Sequence, residues 1–166
     1  MSQLDLSRLS RLDWVVAGAS VLTLIALFLP WYGASYAGFS ASVDGWSTSY
    51  GWLGALLIIA AGALLVLQRS GRSIQIQGIG PVLLILGIAA LGTLIVIIRW
   101  ITLPSGHGAA LVTSYSYGPR IGIYLALILG IAQCVAALRL FRASGEVIPA
   151  LGADAPAPKT GEGADL

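Results

Sequence analysis

Four apolar runs free of charge constrain this chain more than any other feature: Trp14 to Leu29, Trp52 to Leu67, Ile79 to Ile98 and Ile121 to Leu138. Each approaches the roughly 17–25 residues that carry a helix across the hydrocarbon core of a bilayer. Only 10% of the 166 residues are charged and 57% are hydrophobic. A soluble domain has about 25% charged residues, so this chain has too few charges to cover a water-facing surface. The expected fold class is therefore an all-α membrane protein, a four-transmembrane-helix bundle with spans at about 14–31, 52–68, 79–99 and 120–139. Helix punctuation agrees, with Pro30 closing the first run, Pro81 opening the third and Pro119 preceding the fourth.

The cations set an orientation. Arg8, Arg11, Arg69, Arg72, Arg139, Arg142 and Lys159 flank one side of the four runs, against Arg99 and Arg120 on the other. The positive-inside rule then places both termini in the cytoplasm of a plasma membrane. A competing reading makes the first run a cleaved signal peptide, with Arg8 and Arg11 as its basic region and a cut after Ala37.

The loops on the far side, 32–51 and 100–119, are patterned rather than irregular. Phe39, Ala41 and Val43 alternate with serines, as do Trp46, Thr48 and Tyr50 on the other side of Asp44-Gly45. Alternation of this kind predicts a half-buried strand pair turned at Asp44-Gly45. Leu111, Thr113, Tyr115 and Tyr117 alternate likewise, which predicts a third strand and a small extracytoplasmic antiparallel β-sheet. Ser47-Thr48-Ser49-Tyr50-Gly51 and Ser114-Tyr115-Ser116-Tyr117-Gly118 echo each other before runs two and four, a match that chance in Ser- and Tyr-rich loops also produces. Residues 1–142 form the predicted transmembrane domain, and 143–166, rich in Ala, Gly, Pro and acids, read as a disordered cytoplasmic tail.

Chemistry is sparse. His107 lies in a Gly-flanked segment expected to be a flexible turn, and no cluster of Cys, His or carboxylates has metal-ligand spacing. No nucleophile stands with a base, so no catalytic, cofactor or metal site is assigned and the chain reads as a non-enzyme. No basic block suggests nucleic acid. Arg99 and Arg120 bracket one loop at one membrane surface and are candidates for contact with an anion or lipid headgroup, with snorkelling as the plainer alternative. Ten of the fourteen aromatic residues gather on or near the outer side. The excess is expected either to pack a compact outer layer or to form a recognition surface, and for the latter Trp31, Trp46 and Trp100 are the candidates, facing an envelope or membrane protein or a second copy. Within the runs, Gly122, Ala126, Gly130 and Cys134 form a small-residue stripe for helix packing. Ser20, Thr23, Thr93 and Gln133 are either interhelical glue or the lining of a path in an oligomeric channel or transporter subunit.

Phe28-Leu29-Pro30-Trp31-Tyr32, followed by Asp44-Gly45-Trp46 and Gly51-Trp52, resembles small four-span membrane proteins abundant in actinobacterial genomes. The resemblance implies a bacterial plasma membrane and no particular activity. The layout is also similar, in architecture alone, to claudin-type tetraspan proteins, with Trp31 and Gly45-Trp46 near that family's first-loop signature. The two cysteines of that signature are missing here and the loop is shorter, so barrier function is not implied.

Overall fold

The computed structural model describes residues 10–71, 80–110 and 113–146. The fold is mostly helical, with four helices and one small antiparallel sheet. Helix α1 is Arg11–Leu27, α2 Gly51–Arg69, α3 Pro81–Thr102 and α4 Ile121–Ser144. Strands β1 (Pro30–Tyr36) and β2 (Phe39–Asp44) join α1 to α2, and β3 (Gly106–Ala110) and β4 (Thr113–Pro119) join α3 to α4. Among the described residues three helices, α2, α3 and α4, are long and apolar enough to cross a membrane. The first expected span, 14–31, corresponds to α1, which has 17 residues, carries Arg11 and Asp13 in its first turn and ends at Leu27.

Each helix packs on the two that flank it in a closed ring: α1 on α2, α2 on α3, α3 on α4 and α4 on α1. Two apolar cores fill this ring. One, near the sheet, contains Leu27, Trp31, Ile58, Val96 and Ile123; the other, at the opposite end, contains Val16, Leu65, Ile85, Ala89 and Leu140. The outward helix faces are apolar too, with Val21, Ile25, Leu91, Ile121 and Ile128 all more than half exposed.

The far end is tied by polar side chains. Ser10 caps α1 by accepting the Asp13 N–H, and the Asp13 carboxylate accepts the Ser10 N–H in return, forming a capping box. The same buried carboxylate holds Arg69, on the last turn of α2, at 3.0 Å. Glu146, two residues beyond α4, accepts the N–H groups of Val82 and Leu83 at 3.2 and 2.9 Å and so caps α3, whose own preceding residue is Gly80. Helix α4 thus runs to Ser144 and stays engaged through Glu146, past the expected boundary at 142. The rest of the predicted tail, and the short Ser73–Gly78 connector, lie outside the described residues.

The sheet has four strands in the order β2-β1-β4-β3, one more than expected. Its first hairpin does not turn at Asp44-Gly45. The turn is Ala37-Gly38, with φ of 49° and 83°, and β2 ends where the turn was expected. The segment expected as the partner strand, Trp46 to Tyr50, is a series of turns instead. The echo between 47–51 and 114–118 therefore joins a turn to a strand and has no common structure. His107, expected in a flexible turn, lies in β3. A cut after Ala37 would sever the β1–β2 hairpin at its turn.

Candidate functional site

The sheet gathers most of the chain's polar and aromatic chemistry. Residues directly opposite in neighbouring strands share a face, so the register defines two surfaces. On one, Phe39, Tyr36 and Tyr115 form a row across β2, β1 and β4, with Tyr117 in the next row. All four are exposed, Phe39 at 82%. The Tyr115 and Tyr117 rings lie nearly parallel, 9° apart with centroids at 6.3 Å, and extend over Gly108 and Gly106 of β3. Glycine leaves that edge strand bare and the tyrosines cover it, an arrangement that secures a strand of weak propensity.

The opposite surface is hydroxylic. Ser40, Ser35, Ser116 and His107 form a row across all four strands. Arg120, the residue before α4, donates its backbone N–H to the Trp31 carbonyl at 2.9 Å, which fixes its position beside β1. Its side chain crosses Gly33, where a Cβ would stand 2.5 Å from Arg120 Nε, and one guanidinium N–H reaches Ser35 Oγ at 3.4 Å.

Arg99 has different company. It lies on the last turn of α3, with its guanidinium 5.6 Å from the Tyr50 ring centroid, and its buried Nε has no hydrogen-bond partner among the described residues. The two arginines expected to share one anion thus rest against different neighbours. Asp44 accepts from Ser47, whose hydroxyl and N–H hold its carboxyl below the usual carboxylate range.

Trp31 is not part of any outer surface. It is fully buried, and its indole N–H donates to the Ala26 carbonyl at 2.7 Å. Gly45, Gly51 and Gly122 close around its ring; a Cβ at any of them would come within 2.5–3.1 Å of it. The other two tryptophans remain partly exposed at 39% each, Trp46 edge-on to Phe28 and Trp100 edge-on to Tyr124, at the sheet end of the bundle.

The residues weighed as glue or path are buried and bonded inside the bundle. Ser20 donates to the Val16 and Ile58 carbonyls and lies 3.3 Å from Gln133 Oε1, and the Gln133 amide donates to Ile58 O at 2.8 Å. One node thereby ties α1, α2 and α4. Thr23 and Thr93 donate back to Ala19 and Ala89, and Thr93 meets Cys134 at 3.4 Å. The stripe on α4 packs within the chain: Gly122 on Trp31, Gly130 on Thr93 and Ile58, with Ala126 fully buried. In a double-mutant cycle of Ser20→Ala and Gln133→Leu, the two changes should couple by about 0.6–1.7 kcal/mol. Denaturation in mixed micelles measures this, and strictly additive losses would contradict the node.

Among the described residues no three His, Cys, Asp or Glu side chains gather as a metal site. No family model, curated protein or solved structure matches the chain.

Proposed function

We propose that this chain is a four-span protein of the plasma membrane that performs no catalysis and uses its sheet as a contact head for an envelope or membrane protein. The carrying observation is a division of exposed apolar surface. On the helices it is mainly aliphatic, with Trp14, Trp100 and Tyr124 as exceptions, and lies all around the bundle, whereas on the sheet it is mainly aromatic, with Phe39, Tyr36, Tyr115 and Tyr117 on one face and serines on the other. A helix apolar on every side needs lipid or protein around it, and α2, α3 and α4 have the length to cross. At about 1.5 Å per residue, the 17 residues of α1 extend roughly 26 Å, and Pro30-Trp31-Tyr32 continues the chain to the same level as the start of α2. Ion pairing and capping by Asp13, Arg69 and Glu146 then fall at the cytoplasmic surface, the cation-rich side.

Proteins rarely leave several large aromatic side chains on one sheet face without a partner, because such patches mark interaction sites. Exposed Tyr and Phe supply contact area at little cost in side-chain entropy. The test is a photo-crosslinking residue at position 39, with a second at the lipid-facing Leu22 as control, in intact cells. A discrete protein adduct from position 39 and lipid adducts from position 22 are expected. Lipid adducts alone at both positions, or a cysteine at Ser42 labelled only after the cytoplasm is opened, would remove this reading.

A further inference from the structure

We infer that the hydroxylic face of the sheet is a binding site for a phosphate group, held by Arg120 with Ser35, Ser116 and His107. Two adjoining hollows lie on this face. One, of about 610 Å³, is lined by Ser35, Ser114, Ser116 and His107 together with parts of Tyr36 and Tyr115. The other, of about 220 Å³, shares His107 and Ser116 with the first and adds Arg120. They form one trough along β4, with the guanidinium at one end.

Three features suit it to an anion. Its ionisable lining groups are one arginine, one histidine and tyrosines, with no carboxylate among them. The guanidinium is positioned rather than loose, because Gly33 and Gly118 are cross-strand partners and leave a bare floor beneath it. Among the described residues its side-chain hydrogen bond is the one to Ser35, which at 3.4 Å is long, so a stronger acceptor such as phosphate can displace or supplement it. A tetrahedral phosphate takes several donors at once, and arginine with two hydroxyls and an imidazole supplies them from adjacent strands by charge-assisted hydrogen bonds. An anionic lipid headgroup and a soluble ester both carry this phosphate chemistry. Only the lipid source rests on the membrane reading.

His107 is the only histidine in the chain, so labelling histidine gives a resonance that reports this site alone. The protein is placed in nanodiscs of phosphatidylcholine and titrated with inorganic phosphate against chloride at equal ionic strength. A second preparation contains phosphatidylglycerol and no added phosphate. A saturable shift of the His107 signal with phosphate assigns a soluble ester, and a shift that needs only phosphatidylglycerol assigns a headgroup; either supports the site. Arg120→Ala should weaken the response at least about tenfold and Ser116→Ala less, while Arg120→Lys should retain part of it.

No shift in either preparation, a shift matched by chloride, or one that survives Arg120→Ala in a folded protein would overturn the site. If Arg120→Ala fails to fold, the gradation between Arg120→Lys and Ser116→Ala decides: equal affinity in both and in the parent overturns it. Failure of the chain to enter nanodiscs would count against the membrane reading alone, because the phosphate titration can be repeated in micelles.

Discussion

Replacing Trp31 with alanine is expected to cost at least about 3–5 kcal/mol and to uncouple the sheet from the bundle. Among the described residues the tryptophan is the largest fully buried side chain. Its ring touches the β2–α2 link at Gly45, the start of α2 at Gly51 and the start of α4 at Gly122, and its indole N–H bonds to α1. Three glycines that line one ring cannot collapse into the void left behind, because they have no side chains to move, so most of the cavity cost should remain. The Ala26 carbonyl would keep its place in the helix but lose its second donor. Trp31→Phe should recover most of the packing and none of the hydrogen bond, placing it between parent and alanine. Unfolding in mixed micelles measures the order. An alanine variant as stable as the parent would mean that the sheet is held by the strands alone.

The same residue shows where the sequence stops being legible. Trp31, Trp46 and Trp100 read alike in the sequence as outer aromatics, and Trp46 and Trp100 are partly exposed. Trp31 differs because its burial depends on glycines at 45, 51 and 122, which are scattered along the chain and converge only in the fold. Gly45 also explains the misplaced hairpin. Asp-Gly between alternating segments is a strong turn signal, yet here Gly45 donates to the Leu27 carbonyl and lies under the indole. Close approach, not a positive φ, selects glycine there. The true turn puts Ala37 at positive φ, a conformation alanine seldom adopts and no local signal announces. The alternation of β2 and β4 is nonetheless legible, because it survives an error in the turn, but the expected half-burial of β2 is not found: Phe39 to Val43 are all exposed. Strand β3 was not readable: Gly-His-Gly-Ala-Ala has no strand propensity of its own, and pairing with β4 beneath Tyr115 and Tyr117 imposes it. Arg120 could be found as an outer cation, whereas its serine and histidine neighbours required the register.

Within α3, two glycines should respond to the same substitution with opposite signs. Gly92 sits where α2 and α3 cross backbone to backbone: a Cβ there would stand 2.7 Å from the Gly54 carbonyl and 2.9 Å from Leu57 Cβ. Neither neighbour is the flexible end of a long side chain, so Gly92→Ala must push the helices apart, at a cost of about 1–3 kcal/mol, and Gly92→Leu more. In the proposed bilayer no hydrophobic effect would draw the helices back together, and contact between their surfaces would hold them. Gly87 has nothing within 4 Å of its would-be Cβ. Gly87→Ala should therefore gain about 0.5–1 kcal/mol from helix propensity alone. Equal effects at the two sites, measured by thermal unfolding in bicelles, would deny the close crossing. The consequence reaches the sheet, because α2 begins at Gly51 against Trp31 while α3 leads into β3 at the trough. A wedge between α2 and α3 should weaken phosphate binding in a protein whose trough residues are untouched, whereas Gly87→Ala should leave it unchanged.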